Sequence, residues 1–143
     1  EAFPNRRKIC VLGNTGGGRD VWKRPLMGRI ADESCEKVIL TNEDSYDESP
    51  QAIVEAMARG MKRAPEIIMN RREAIRTALR LALSWSKGAA PLDSARGAGN
   101  QDVAVLISGK GTDPFIMGAK GSKEPWSDAR VVREELGKLG FRH

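Results

Sequence analysis

Histidine is almost missing from this sequence: the single one, His143, is the last residue. No zinc-type ligand cluster can be built on that basis, and neither can a Ser-His-Asp or Cys-His nucleophilic site. Cysteine is scarce too. Cys10 falls in an apolar run and Cys35 near the end of a helical pattern, which points to reduced thiols in a cytoplasmic setting and not to a disulfide framework. Long hydrophobic stretches are absent. The longest apolar run, Val103 to Ile107, is far short of a membrane span, and no signal peptide is visible. Aromatic residues make up only 5% and outline no recognisable nucleic-acid-binding module.

What is present reads as one domain. The chain has 143 residues, of which 40% are hydrophobic and 30% charged, enough for a real core. It opens on Glu1, and the first strand pattern begins almost at once, so a piece of a longer polypeptide is expected. The formal charge of +5 by itself allows nucleic-acid binding, but the charge is unevenly spread. Asp32, Glu33, Glu36, Glu43, Asp44, Asp47, Glu48 and Glu55 make one stretch acidic, and residues 59–80 are mostly basic. Such runs are expected to be solvated faces, so neither a nucleic-acid nor a membrane partner is expected.

The chain is organised around its glycine-rich stretch. Ile9 to Leu12 reads as the end of a buried strand, Gly13, Gly16, Gly17 and Gly18 follow closely, and a helical pattern opens at Pro25. Strand, glycine turn and helix start together can point backbone N–H groups at an anion. Arg19, Lys23 and Arg24 add positive charge at the same mouth. The spacing is neither the dinucleotide fingerprint nor the P-loop. The first helix is expected to bury Leu26, Met27, Ile30, Ala31 and Cys35 on one face.

Lys37 to Thr41 predicts a second strand, followed by an acidic loop from Asn42 to Glu48. Ser49 and Pro50 predict the start of a second helix, with Ile53, Val54, Met57 and Met61 inward and Gly60 at its end. Glu66 to Met69 is a short third strand, and Asn70 with Glu73 has capping-box spacing for a third helix carrying Ile75, Ala78, Leu79, Ala82 and Trp85. Arg72, Arg76 and Arg80 recur on another face of it, expected to be solvated or salt-bridged. Gly88 to Gln101 reads as a mobile loop. Asp102 to Ser108 is a fourth strand, residues 115–126 a small hairpin, and Ser127 the cap of a last helix with Ala129, Val132, Leu136 and Leu139 inward. Alternating strands and helices imply an α/β class: a three-layer, Rossmann-like, mostly parallel sheet with flanking helices and a small C-terminal hairpin. Ligands in such sheets sit beyond the carboxyl ends of the strands, where the loops Gly13 to Lys23, Asn42 to Glu48 and Gly109 to Phe115 all lie.

Three blocks carry a family likeness. Gly16 to Met27, Leu40 to Pro50 and Ser108 to Phe115 together resemble the C-terminal domain of the Mur ligases, most closely the branch that adds the third residue of the peptidoglycan stem peptide to UDP-N-acetylmuramoyl-dipeptide. The resemblance implies that Arg19 contacts the incoming amino acid and that Gly109 and Asp113 read its polar groups. Asp44 and Tyr46 stand in the loop that selects it, and Gly16, Gly17, Asp20 and Lys23 face the nucleotide. Gly18 replaces an aspartate usual in the family, Asp113 is one methylene shorter than the usual glutamate, and Asp44 and Tyr46 replace the Asn and Arg of the diaminopimelate-adding loop. Because a phenol stands where those enzymes carry a guanidinium, and acids surround it, L-lysine is expected over meso-diaminopimelate.

The implied chemistry is amide formation with ATP and magnesium. The phosphate loop, the magnesium ligands and the UDP-sugar site belong, by the resemblance, to central and N-terminal domains outside this chain. The chain alone is therefore expected to be an inactive monomer with no catalytic residue and no metal ligand of its own. A free-standing anion- or nucleotide-binding α/β domain, a folyl-polyglutamate-type ligase and a basic nucleic-acid-binding module are the alternatives.

Overall fold

The computed structural model describes residues 3–88 and 102–141. The predicted loop from Gly88 to Gln101 lies, apart from Gly88, outside the described residues. The elements in chain order are β1 (Arg7–Leu12), α1 (Lys23–Ser34), β2 (Lys37–Leu40), α2 (Pro50–Ala58), β3 (Glu66–Ile67), α3 (Arg71–Ser86), β4 (Val103–Ser108), β5 (Phe115–Met117), β6 (Lys123–Pro125) and α4 (Asp128–Lys138). β1 to β4 form one parallel sheet in the order β3-β2-β1-β4, and β5 and β6 pair as an antiparallel hairpin.

Side chains alternate across the sheet, and that alternation makes the three layers. Ile9, Val11 and Ile39 face α3 and α4, where they pack with Ile75, Ala78, Trp85 and Val131. Cys10, Leu12, Val38 and Leu40 face the opposite way, onto Ala31, Ile53, Val54 and Met57 of α1 and α2. The continuous apolar runs of β1 and β2 follow from this burial on both faces.

Local signals set several boundaries. The Ser49 hydroxyl accepts from the Ala52 N–H at 3.3 Å, with Pro50 opening α2. Asn70 accepts from the Glu73 N–H at 3.0 Å, and Ser127 from the Arg130 N–H at 3.3 Å. The capping box at α3 is only half made, because the Glu73 carboxylate turns to Arg76 at 2.5 Å.

Other expectations need correction. α1 begins at Lys23, before Pro25, because the Lys23 and Arg24 N–H groups already bond the Asp20 and Val21 carbonyls. Of its expected face, Ala31 and Cys35 are buried and Met27 packs beside them, but Ile30 is 53% exposed, and Arg24, Gly28 and Asp32 are buried as well. The helix is turned this way because it meets the end of α2 through Gly28, where a Cβ would run into the Met57 carbonyl. β3 is shorter than expected: after the Ile68 N–H bonds the Leu40 carbonyl at 3.0 Å, the chain leaves the sheet to start α3.

The inward face of α4 is only partly the expected one. Val132, Leu136 and Leu139 pack against the core as expected, but Ala129 is exposed, and the most deeply buried residues are Asp128, Val131 and Glu135. Arginines on α3 explain this. Arg72 and Arg76 both reach Glu135, each at 2.8 Å, and Lys138 adds a bond at 2.9 Å. The arginine stripe is thus partly a salt-bridged seam between two helices, with Arg76 and Glu135 at its centre.

Candidate functional site

Four charged clusters fasten together the loops at the carboxyl ends of the strands. Arg24, 2% exposed, forks onto Glu48, its Nη1 and Nη2 donating to Oε1 and Oε2 at 2.5 and 2.9 Å. It also donates to the Asn14 side chain at 3.0 Å and to the Thr15 carbonyl at 3.2 Å, so it joins the glycine loop to the loop after β2. These hydrogen bonds hold the Glu48 carboxyl below the usual carboxylate range against burial, and the Gly18 and Gly17 N–H groups add to the effect.

Lys110 makes the second cluster. Its Nζ donates to both oxygens of Asp44 at 2.8 and 2.6 Å, and the Met117 N–H donates to the same carboxylate at 2.7 Å. The loops after β2 and β4 and the hairpin therefore meet on one buried carboxylate. Arg71, the first residue of α3, makes the third. It grips Asp128 through Nε and Nη2 at 2.9 and 2.7 Å, and donates to the Ser108 carbonyl at 2.9 Å. Burial pushes the Asp128 carboxyl up, but bonds from Arg71 and from the Trp126 indole N–H bring it below the usual range.

The fourth cluster is built on Glu43. It is 5% exposed and accepts from the Thr15 hydroxyl at 2.9 Å. Burial pushes its carboxyl above the usual range, with the Thr15 bond and the Arg71 charge opposing. Gly109 has φ +115 and lies so close that a Cβ there would stand 2.6 Å from Glu43 Oε2. Only glycine lets this loop rest on the carboxylate.

The glycine loop differs from the anion cradle that its sequence suggests. The Gly16 N–H donates to the Asp44 carbonyl at 2.6 Å, and the Gly18 N–H faces Glu48 Oε2 at 3.4 Å. The anion near these N–H groups is the protein's own Glu48. Arg24 likewise adds no free charge to the mouth, since Glu48 neutralises it. Asp20 and Lys23 pair with each other at 2.7 Å on the surface.

The predicted site residues fall into two tiers. Gly16 and Asp44 belong to the buried tier, and both carboxylate oxygens of Asp44 are engaged. Gly17, Arg19, Tyr46, Gly109 and Asp113 are exposed on the rim above it. Tyr46 sits at φ +50 with its N–H on the Met117 carbonyl at 3.3 Å, and Asp113 lies 3.3 Å from Lys110 Nζ. Sequence alone presents Arg24 as free charge at the loop mouth and Glu43 as one acid of a solvated run, and it does not single out Arg71, Lys110 or Asp128 as site residues. A usable signal existed for Lys110, which stands inside the family-like block Ser108 to Phe115. Among the described residues, no group of three or more His, Cys, Asp or Glu could hold a metal ion.

Comparison with known proteins agrees with this architecture. The model of the family "Mur ligase, glutamate ligase domain" matches residues 1–111. The UDP-N-acetylmuramoyl-L-alanyl-D-glutamate--2,6-diaminopimelate ligase of Aquifex aeolicus is 33% identical over 138 residues, covering 95% of this chain and 25% of the relative. The proteins of the same name from Chromobacterium violaceum and Syntrophomonas wolfei are 35% identical over 136 residues and 43% over 139. They are covered over 24% of their length each, against 95% and 94% of this chain. The chain spans about a quarter of the length of these relatives. With matching blocks across nearly all of its length and the parallel sheet that the resemblance implied, the chain belongs to the Mur ligase family, whose glutamate ligase domain it carries.

Proposed function

We propose that this chain is the amino-acid-presenting domain of an ATP-dependent ligase that adds the third residue to UDP-N-acetylmuramoyl-dipeptide. The observation that carries the reading is the two-tier junction: a buried set of ion pairs fixes three loops, and Arg19, Tyr46, Gly109 and Asp113 stand exposed on its rim. Mur ligases as a group use ATP and magnesium. In the reaction, the peptide carboxylate becomes an acyl phosphate, and the amine of the incoming amino acid attacks it and expels phosphate. This domain's contribution is positioning of that amine. Arg19 pairs with the amino acid's carboxylate, and Asp113 and the Gly109 backbone meet its α-amino end. Asp20 and Lys23 face the nucleotide side. No step runs through a metal on this chain. The protein works in the cytoplasm as a monomer on small molecules; among the described residues no helix is long and apolar enough to cross a membrane.

The choice of amino acid rests on Tyr46. The acids around it support lysine less than their number suggests. Glu48 is neutralised by Arg24 and Asp44 by Lys110, Asp47 accepts the Lys120 N–H at 2.7 Å, and Glu43 is buried. What remains is a phenol in place of a guanidinium, which lacks the bidentate fork that a distal carboxylate requires. L-lysine is therefore our reading; the similar ligases named for 2,6-diaminopimelate favour that amino acid as the second reading. Assay of the full-length enzyme with both amino acids at equal concentration decides between them. A higher kcat/KM for lysine is expected, and a higher value for diaminopimelate would overturn the lysine reading. Turnover of neither, with UDP-N-acetylmuramoyl-dipeptide and ATP present, would overturn the ligase proposal itself.

A further inference from the structure

Away from the loop junction, two thiols share a cavity. Cys10 lies in β1 opposite Val38 on one side and Leu106 on the other. Cys35 is the residue that caps the end of α1. Both are buried, at 8% and 6% exposure, yet both line one apolar cavity of about 320 Å³ with Leu12, Met27, Ala31 and Leu106. The half-exposed Ile30 also lines it, and the Ser108 hydroxyl in its wall is buried without a hydrogen-bond partner. The two thiols belong to one packed core cluster as well as to one cavity wall, and each is the largest influence on the other's titration. Shared cluster and shared cavity bring the side chains into one neighbourhood, a condition that most pairs of cysteines in a fold fail to meet.

The pair is asymmetric. The hydrogen bond from Cys10 holds the Cys35 thiol below its ordinary range, opposed by burial and by Glu36 and helped by the charges of Lys8 and Arg63. The same contact and burial push the Cys10 thiol up. This asymmetry would make Cys35 the attacking sulfur and leave Cys10 its proton until it resolves the product.

We propose that Cys10 and Cys35 form a redox-active dithiol that closes to an intramolecular disulfide when a hydroperoxide enters this cavity. With hydrogen peroxide, the Cys35 thiolate attacks one oxygen, the O–O bond breaks, and hydroxide leaves a sulfenic acid on Cys35. The Cys10 sulfur then attacks the Cys35 sulfur. The S–S bond forms as the S–O bond breaks, and the departing hydroxide takes the Cys10 proton to become water. Both thiols are oxidised and the peroxide is reduced to water, so no further reductant or oxidant is needed. The bond would tie β1 to the end of α1, enclosing the glycine loop and Arg19 between its anchors.

Peroxide treatment of the folded chain, followed by peptide mapping and thiol titration, tests this. The expected product is a peptide linking Cys10 to Cys35, with both thiols lost together, no dependence on protein concentration, and full recovery with dithiothreitol. In Cys10→Ser, Cys35 should stop at a sulfenic acid that dimedone traps. Sulfinic or sulfonic acid on Cys35 beside a free Cys10 in the parent chain would overturn the proposal. So would thiols that react only after denaturant is added. The parent chain gives the deciding result, so the test survives a variant that does not fold.

Discussion

Lys110 Nζ touches both carboxylate oxygens of Asp44, and the two side chains are only 1% and 7% exposed. A buried ion pair of this kind contributes little over an apolar pair, but breaking it from one side leaves a charge without a partner. Lys110→Met should therefore cost about 3–5 kcal/mol of stability, measured as a shift in the denaturant midpoint. Lys110→Met combined with Asp44→Leu should recover a large part of that loss. A single variant as stable as the parent would mean that the three loops are held by something else.

Glu135 gives a pH signature. Hydrogen bonds from Arg76, with Lys138 and Arg72, outweigh burial and bring its carboxyl from 4.5 down to about 2. A depressed carboxyl contributes stability that is whole above the unfolded value and is lost as pH falls through the folded one. The parent chain should lose stability from this source between about pH 4.5 and 2, and Glu135→Gln should flatten that limb. Equal acid slopes in the two proteins, read from unfolding midpoints at several pH values, would contradict the seam between α3 and α4.

Space and backbone conformation can be separated at neighbouring glycines. A Cβ at Gly16 would run into the Ser45 carbonyl, so Gly16→Ala must displace the loop after β2 at an overpacking cost of about 1–3 kcal/mol. Gly18 has φ +73 with nothing near its missing Cβ. Gly18→Ala should cost about 1–2 kcal/mol from the left-handed backbone alone. The decisive readout is tryptophan fluorescence of the folded state in a Trp85→Phe, Trp126→Phe background, which leaves Trp22, four residues after Gly18, as the reporter. It should change for Gly16→Ala and stay as in the parent for Gly18→Ala.

In the full-length enzyme, Arg19 is expected to hold the amino acid's carboxylate. A hydrogen bond to a charged group contributes roughly 1.5–3 kcal/mol. Arg19→Ala should raise KM for the amino acid about ten- to a hundred-fold, at ~1.4 kcal/mol per tenfold, and leave KM for ATP nearly unchanged. An effect confined to ATP would assign Arg19 to the nucleotide instead.

Tyr46→Arg should shift the kcat/KM ratio of lysine to diaminopimelate towards diaminopimelate. The position already accepts φ +50 and has a half-exposed side chain, so an arginine fits without repacking. An unchanged ratio in steady-state assays would remove Tyr46 from the specificity loop.

Most of the fold was legible because its signals are local. Ser49-Pro50, Asn70 and Ser127 mark helix starts through bonds to N–H groups three residues on, and the apolar runs of β1 and β2 state their own burial. The rim residues were named on a different ground, the likeness of whole strings to a family. The pairings of the buried tier were not legible. Arg24 finds Glu48 across 24 positions and Lys110 finds Asp44 across 66, and nothing in either neighbourhood names the distant partner. The burial of Glu135 on α4 was missed on the same ground: it counts as a surface residue until arginines from another helix surround it.

The separation of the buried tier from the rim bears on how such a domain can diversify. Arg24 and Glu48 constrain each other, as do Asp44 and Lys110, so a change at any of them demands compensation at its partner. Arg19 and Tyr46 stand exposed on this scaffold, and the exposed Asp113 meets it at Lys110 Nζ, 3.3 Å away. A lineage can exchange them one at a time and stay folded throughout. Under the proposed role of the rim, substrate preference is therefore open to drift by single substitutions, over a foundation in which a change demands a second one.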